Sequence, residues 1–109
     1  MTAFDQSIYI VIGKKIFNAR KKIDITQAQL SERLFTKGLE LKRASITNIE
    51  RGRQKVMLHA LYHIAEALEV EIVSLLPSLK EIKGEKFGPH FETPEATWAK
   101  KLIKSGKKN

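Results

Sequence analysis

The stretch richest in groups that can do chemistry is residues 43–54, RASITNIERGRQ. Ile46 and Ile49, three apart, make one apolar edge at helical spacing. Arg43, Ser45, Thr47, Asn48 and Arg51 occupy the rest of the turn before Gly52 stops it. Arginine can donate two hydrogen bonds to guanine, asparagine can pair with adenine on two atoms, and serine or threonine serves several bases. Arg51, Arg53 and Lys55, at and beyond the end of the run, suit phosphate contacts, which orient a protein on a duplex and supply much of its affinity. A short helix held down by two apolar residues leaves its outer face free to enter a major groove.

Other chemistries find less material. His59 and His63 stand four apart, the spacing of a two-histidine metal pair, with Glu66 one turn on, but no third ligand is near in sequence. Gly84 and Gly88 do not form a phosphate-cradling loop leading into a helix. Ser45, Thr47 and Glu50 have no base positioned beside them. With no cysteine in the chain, thiolate metal sites, cysteine nucleophiles and disulfides are excluded. No metal, no cofactor and no enzymatic activity are expected. Of 109 residues, 20 are Lys or Arg and 12 Asp or Glu, and the formal charge of +8 points to a polyanionic partner. Lys42, Arg43, Arg51, Arg53 and Lys55 face a single acid, Glu50, within residues 42–55. The apolar run at residues 8–12 is too short to span a membrane and has no basic residue ahead of it. A soluble cytoplasmic protein without a membrane partner is the expectation.

The elements that must position this segment are helical. Ile8, Ile12, Ile16 and Phe17, then Ala19 or Arg20, recur at helical spacing and predict a first helix over residues 5–22, with Asp5 as N-cap and Gly13 tolerated inside it. Thr26 with Gln29 forms a capping-box pattern opening a second helix that carries Ala28, Leu30, Leu34 and Phe35 and stops at Gly38. The opening segment is the third. The fourth, LHALYHIAEALEV, sets Leu58, Leu61, Ile64, Ala65 and Leu68 on one face, and EIVSLL makes a fifth ending at Pro77. No strand-like alternation precedes that point, so the fold class is all-α, a five-helix bundle. Beyond Pro77 the chain reads as a linker with Ile82, Phe87 and Phe91 as docking points. A short amphipathic helix follows, with Thr93 at its cap, Pro94 first and Gly106 last.

Three stretches together, TQAQLSERL, ITNIERGRQ and LHALYHIAEALEVEIVSLLP, resemble the helix-turn-helix family of phage repressors and Cro, often called the XRE family. The resemblance covers residues 12–77 and implies a DNA-binding domain at residues 1–77. It implies that Gln27 touches phosphate and braces the reading helix, and that Arg43, Ala44, Thr47 and Asn48 face bases while Arg51 meets the backbone. It further implies a buried pair, Arg20 with Glu50, tying the first helix to the third. Two departures stand out. The family's short glycine-containing turn is replaced by a longer stretch at residues 35–42. The second helix is expected to continue to about Lys37, with Leu39 or Leu41 tucking into the core and Lys37 and Lys42 near DNA. Asp24 stands where a helix-ending glycine is common, which predicts a different exit from the first helix.

The function expected is sequence-specific double-stranded DNA binding as a transcriptional regulator, a repressor. The competing reading is an antitoxin-like module whose tail, residues 78–109, binds a partner protein while the domain binds its own promoter. Ile72, Val73, Leu75 and Leu76 at the end of the bundle, and Trp98, Leu102 and Ile103 in the tail, offer apolar surface for pairing. A homodimer on an inverted repeat is therefore expected.

Overall fold

The computed structural model describes residues 1–84, so the expected tail helix, with Trp98, Leu102 and Ile103, lies outside the described residues. Among those described there are five α-helices, one 3-10 turn and no strand. They are α1 (Ala3–Lys22), α2 (Gln27–Thr36), α3 (Arg43–Glu50), α4 (Leu58–Ala67), the 3-10 turn Ile72–Leu75, and α5 (Leu79–Gly84). α1 is the central helix: α3, α5 and the 3-10 turn all pack on it, and α2 bridges α3 and α4. The core is aliphatic, with Ile12 and Ile16, Ile25, Leu30 and Leu34, Ile46 and Ile49, Leu61, Ile64, Leu68 and Leu75 buried together.

The caps explain where the helices begin. α1 starts ahead of the expected Asp5 because the Thr2 hydroxyl accepts from the Asp5 N–H at 3.0 Å, while the Asp5 carboxylate accepts from the Thr2 N–H at 3.1 Å. Thr26 and Gln29 form the same reciprocal pair at the head of α2, at 3.0 and 2.8 Å. The stops share one geometry too. After α2, Leu39 N–H bonds to Leu34 C=O and Gly38 N–H to Phe35 C=O. After α3, Arg53 N–H bonds to Asn48 C=O and Gly52 N–H to Ile49 C=O. Both glycines sit at positive φ, as this ending requires.

α1 ends the same way without glycine. Ile25 N–H bonds to Arg20 C=O and Asp24 N–H to Lys21 C=O, with Asp24 itself at φ +56°. The expected different exit is thus corrected: the ordinary ending is kept, and aspartate accepts the left-handed backbone, which its short polar side chain tolerates.

Three further expectations change. The segment EIVSLL closes only as a 3-10 turn, because β-branched Ile72 and Val73 favour a helix weakly and Pro77 bars its continuation. Residues 79–84 form α5 rather than linker. Ser78 and Glu81 make a capping box, Ile82 is buried against the bundle, and Lys15 meets Glu81 at 2.7 Å. On the apolar stripes, Phe35 and Leu58 are exposed instead of buried, as is Ala28. Gly13 is more than a tolerated helix glycine. A Cβ there would collide with the backbone carbonyl oxygens of Ile49 and Glu50, so its absence lets α1 and α3 touch backbone to backbone.

Candidate nucleic-acid interface

The inner side of α3 is fastened by more than Ile46 and Ile49. Glu50, the last residue of the helix, accepts from Arg20 Nε at 2.7 Å and Nη2 at 2.9 Å, a two-pronged pair whose side chains are only 7% and 4% exposed. Arg20 gives its third bond, from Nη1, to the Ile25 carbonyl at 2.8 Å. The carboxylate bonded to its guanidinium raises the arginine above its ordinary pKa and outweighs the opposing effect of burial, so the guanidinium stays charged. The Phe17 ring lies 5.4 Å from the guanidinium carbon, adding a cation–π contact on a partly exposed edge.

The network then runs outward. Gln27 Nε2 donates to Glu50 Oε1 at 3.0 Å, and Gln27 Oε1 accepts from the Thr47 hydroxyl at 2.8 Å. α1, α2 and α3 are thereby joined through four side chains. The same Thr47 hydroxyl lies 3.0 Å from the Arg43 carbonyl, and its single proton is shared between the two acceptors. The proton of the Thr47 hydroxyl, a residue expected to face bases, is thus engaged within the protein, which leaves its oxygen only acceptor capacity toward a ligand. Among the described residues no buried side-chain nitrogen or oxygen lacks a partner.

On the outer side Lys42, Arg43 and Ala44 are exposed, with Ser45 and Asn48 half-buried beside them. Arg51, Arg53 and Lys55 follow on the exposed rim of the Gly52 ending. None of these five cations has a carboxylate partner among the described residues. Nor does any side chain cap the start of α3. A polar cleft of about 460 Å³ opens between the α1–α2 connection and the head of α3, lined by Arg20, Lys21, Asp24, Thr26, Gln27 and Arg43 among others.

A helix-turn-helix family model, HTH_3, matches residues 16–75, more than half of the chain and every element just described except α5 and the first turns of α1. The chain belongs to the XRE/Cro-type helix-turn-helix family. As a member it has a DNA-binding domain. The crystal structure of the restriction-modification controller protein C.AhdI from Aeromonas hydrophila is similar in fold, with a TM-score of 0.57 and 24% identity over 65% of this chain and 96% of that one. No curated protein is significantly similar in sequence.

Within this helix-turn-helix domain the longer turn at residues 37–42 is ordered by the core. Leu39 and Leu41 both pack against it, and Ser31 Oγ donates to the Leu41 carbonyl at 2.5 Å. Lys37, expected near DNA, instead meets Glu66 of α4 at 3.2 Å. Of the residues expected at a dimer surface, Leu75 is buried in the core and Ile72 leans on it, whereas Val73 and Leu76 are exposed. The Leu75 expectation is corrected: it fell on the inward side of the 3-10 turn. His59 and His63 lie edge to face, 6.5 Å between ring centroids, and among the described residues no cluster of three metal-binding side chains exists. No helix among the described residues is long and apolar enough to cross a membrane.

Proposed function

We propose that the protein is a sequence-specific duplex DNA-binding regulator of transcription, a repressor, that reads its operator with the outer side of α3. The observation that carries this is the contrast between the inner side of α3, locked by Arg20, Glu50, Gln27 and Thr47, and its outer side, where Arg43 and Asn48 stand between the flanking Lys42, Arg51, Arg53 and Lys55, cations without a carboxylate partner among the described residues. Arg43 and Asn48 read base edges, with Ala44 and Ser45 making close contacts beside them. Lys42, Arg51, Arg53 and Lys55 hold phosphates, and Gln27, which lines the polar cleft, braces the helix and touches phosphate. The likeness in fold to a restriction-modification controller protein supports a regulatory role.

A single reading helix spans only a few base pairs, so we assign a homodimer with two such helices about 34 Å apart on successive major grooves. Val73 and Leu76 are the exposed apolar residues of the 3-10 segment that support it. Selection of bound duplexes from a random library tests the reading. Recovery of an inverted repeat with half-sites one helical turn apart is expected, and enrichment of no motif would overturn it.

A further inference from the structure

The turn between α2 and α3 shapes a second surface, away from the inner network. An apolar groove of about 450 Å³ lies along its outer side, lined by Ser31, Glu32, Phe35 and Thr36 of α2 and by Glu40, Leu41 and Lys42 of the turn. The Phe35 ring on its wall is 69% exposed, an unusual position for a phenylalanine on a helix whose core side is already filled by Leu30 and Leu34. The groove also carries the wrong charge for this molecule. Glu32 and Glu40 have no cationic partner among the described residues, and even with Lys42 at one end the groove is net acidic in a chain of net charge +8. Two unpaired carboxylates beside an apolar wall repel a phosphate backbone and attract a basic, apolar peptide.

Such a peptide is part of the same chain. Residues 96–109, ATWAKKLIKSGKKN, contain five lysines and no acid, and set Trp98, Leu102 and Ile103 among them. The tether is long enough. The 14 residues from Gly84 to Trp98 span up to about 46 Å when extended, whereas a compact domain of this size has a radius of gyration of only about 12 Å. An intramolecular ligand whose tether can span the distance is present at an effective concentration in the millimolar range, which favours even a weak contact.

We propose that the groove of α2 and the extended turn is the docking site for the chain's own C-terminal segment. Trp98 and Leu102 lie against Phe35 and Leu41, and the lysines pair with Glu32 and Glu40. This assigns the tail's apolar residues to the domain rather than to the dimer surface of the 3-10 segment. It also brings a lysine-rich segment near Lys42 at the head of α3, where its remaining lysines add to the basic surface. The inference stands apart from the operator reading, and its test uses no DNA.

Trp98 is the only tryptophan, so its fluorescence reports the docking in the full-length protein. Acrylamide, a neutral quencher, should reach Trp98 less readily than it reaches a solvated indole, and the emission should be blue-shifted. The double variant Glu32→Lys, Glu40→Lys and the single variant Phe35→Ser change exposed side chains only. Each should shift the emission to the red and restore full quenching while the helical circular dichroism is retained. High salt should move the wild type the same way. Full quenching of Trp98 in the wild type would overturn the proposal. So would protection that survives both variants, which places the segment elsewhere. Protection that appears only as protein concentration rises would make a second copy the occupant and contradict docking within one chain.

Discussion

The two sides of α3 are built on opposite rules. Inside, Ile46 and Ile49 are buried, Glu50 and Arg20 exchange two short bonds, and Thr47 and Gln27 are bonded to each other. Outside, Arg43 at its head and Arg51 and Arg53 just past its end have no carboxylate partner among the described residues. The contrast shows how an eight-residue helix, too short to be stable alone, can hold a fixed orientation. In the proposed reading, orientation comes from the locked inner groups and recognition from the exposed outer ones. Substitutions should therefore separate cleanly by side.

The largest effect is expected inside. Glu50→Ala leaves the Arg20 guanidinium buried without its carboxylate and should destabilise the domain by about 3–5 kcal/mol. Arg51→Ala, one residue along but exposed, should change stability by no more than about 0.5 kcal/mol. Urea unfolding of the two variants compares them directly, and similar losses would erase the distinction.

The two glycine endings sharpen the same contrast. At Gly52 a Cβ would press on Cα of Ile10 at 2.8 Å, whereas at Gly38 nothing lies within 4 Å. Gly38→Ala should cost only the left-handed backbone term, about 1–2 kcal/mol. Gly52→Ala adds overpacking and should cost about 2–5 kcal/mol. Thermal melts that rank them the other way would show that α3 is not pressed against α1 at its end.

A gain is expected at Asp24, which holds φ +56° without being glycine. Asp24→Gly should relieve that strain and stabilise by up to about 1 kcal/mol, the difference between the left-handed cost and the extra unfolded-state freedom of glycine. A loss of stability would mean that the aspartate side chain contributes more than its backbone costs.

The smallest effect concerns α5. The Lys15 ammonium, joined by the Ser78 N–H, lowers the Glu81 carboxyl from an ordinary 4.5 to about 2. Because the folded value is depressed, the contribution is complete above pH 4.5 and is lost as pH falls toward 2. A side-chain NMR titration should place the Glu81 midpoint near 2 in the wild type and return it toward 4.5 in Lys15→Ala. A midpoint unchanged by Lys15→Ala would assign the depression to the Ser78 cap and leave Lys15 without a role in holding α5.

Much of this arrangement is legible in the residues. The Thr26 and Gln29 capping box, the Gly38 and Gly52 stops and the buried stripe of α4 follow from spacing, and the Arg20–Glu50 pairing follows from the family resemblance. What escaped the reading has physical causes. Periodicity shows which side of a helix is apolar but not which apolar residues lie beyond the reach of a neighbour, so Phe35 and Leu58 were misplaced. Ser78 and Glu81 carried a capping signal for α5 directly after Pro77, masked by the polar texture around it. The close approach at Gly13 and the inward turn of Thr47 depend on residues more than 19 positions away, Ile49, Glu50 and Gln27, and no local pattern contains them.

The central claim, that α3 reads with one side and is held by the other, is tested most directly by Arg43→Ala and Asn48→Ala on two duplexes. Binding to the library-selected operator and to a scrambled duplex of equal length should be measured at one salt concentration, beside the melting temperature of each variant. The expected result is a loss of about 1–3 kcal/mol on the operator, almost none on the scrambled duplex, and an unchanged melting temperature. Equal losses on both duplexes, or a loss matched by unfolding, would contradict it.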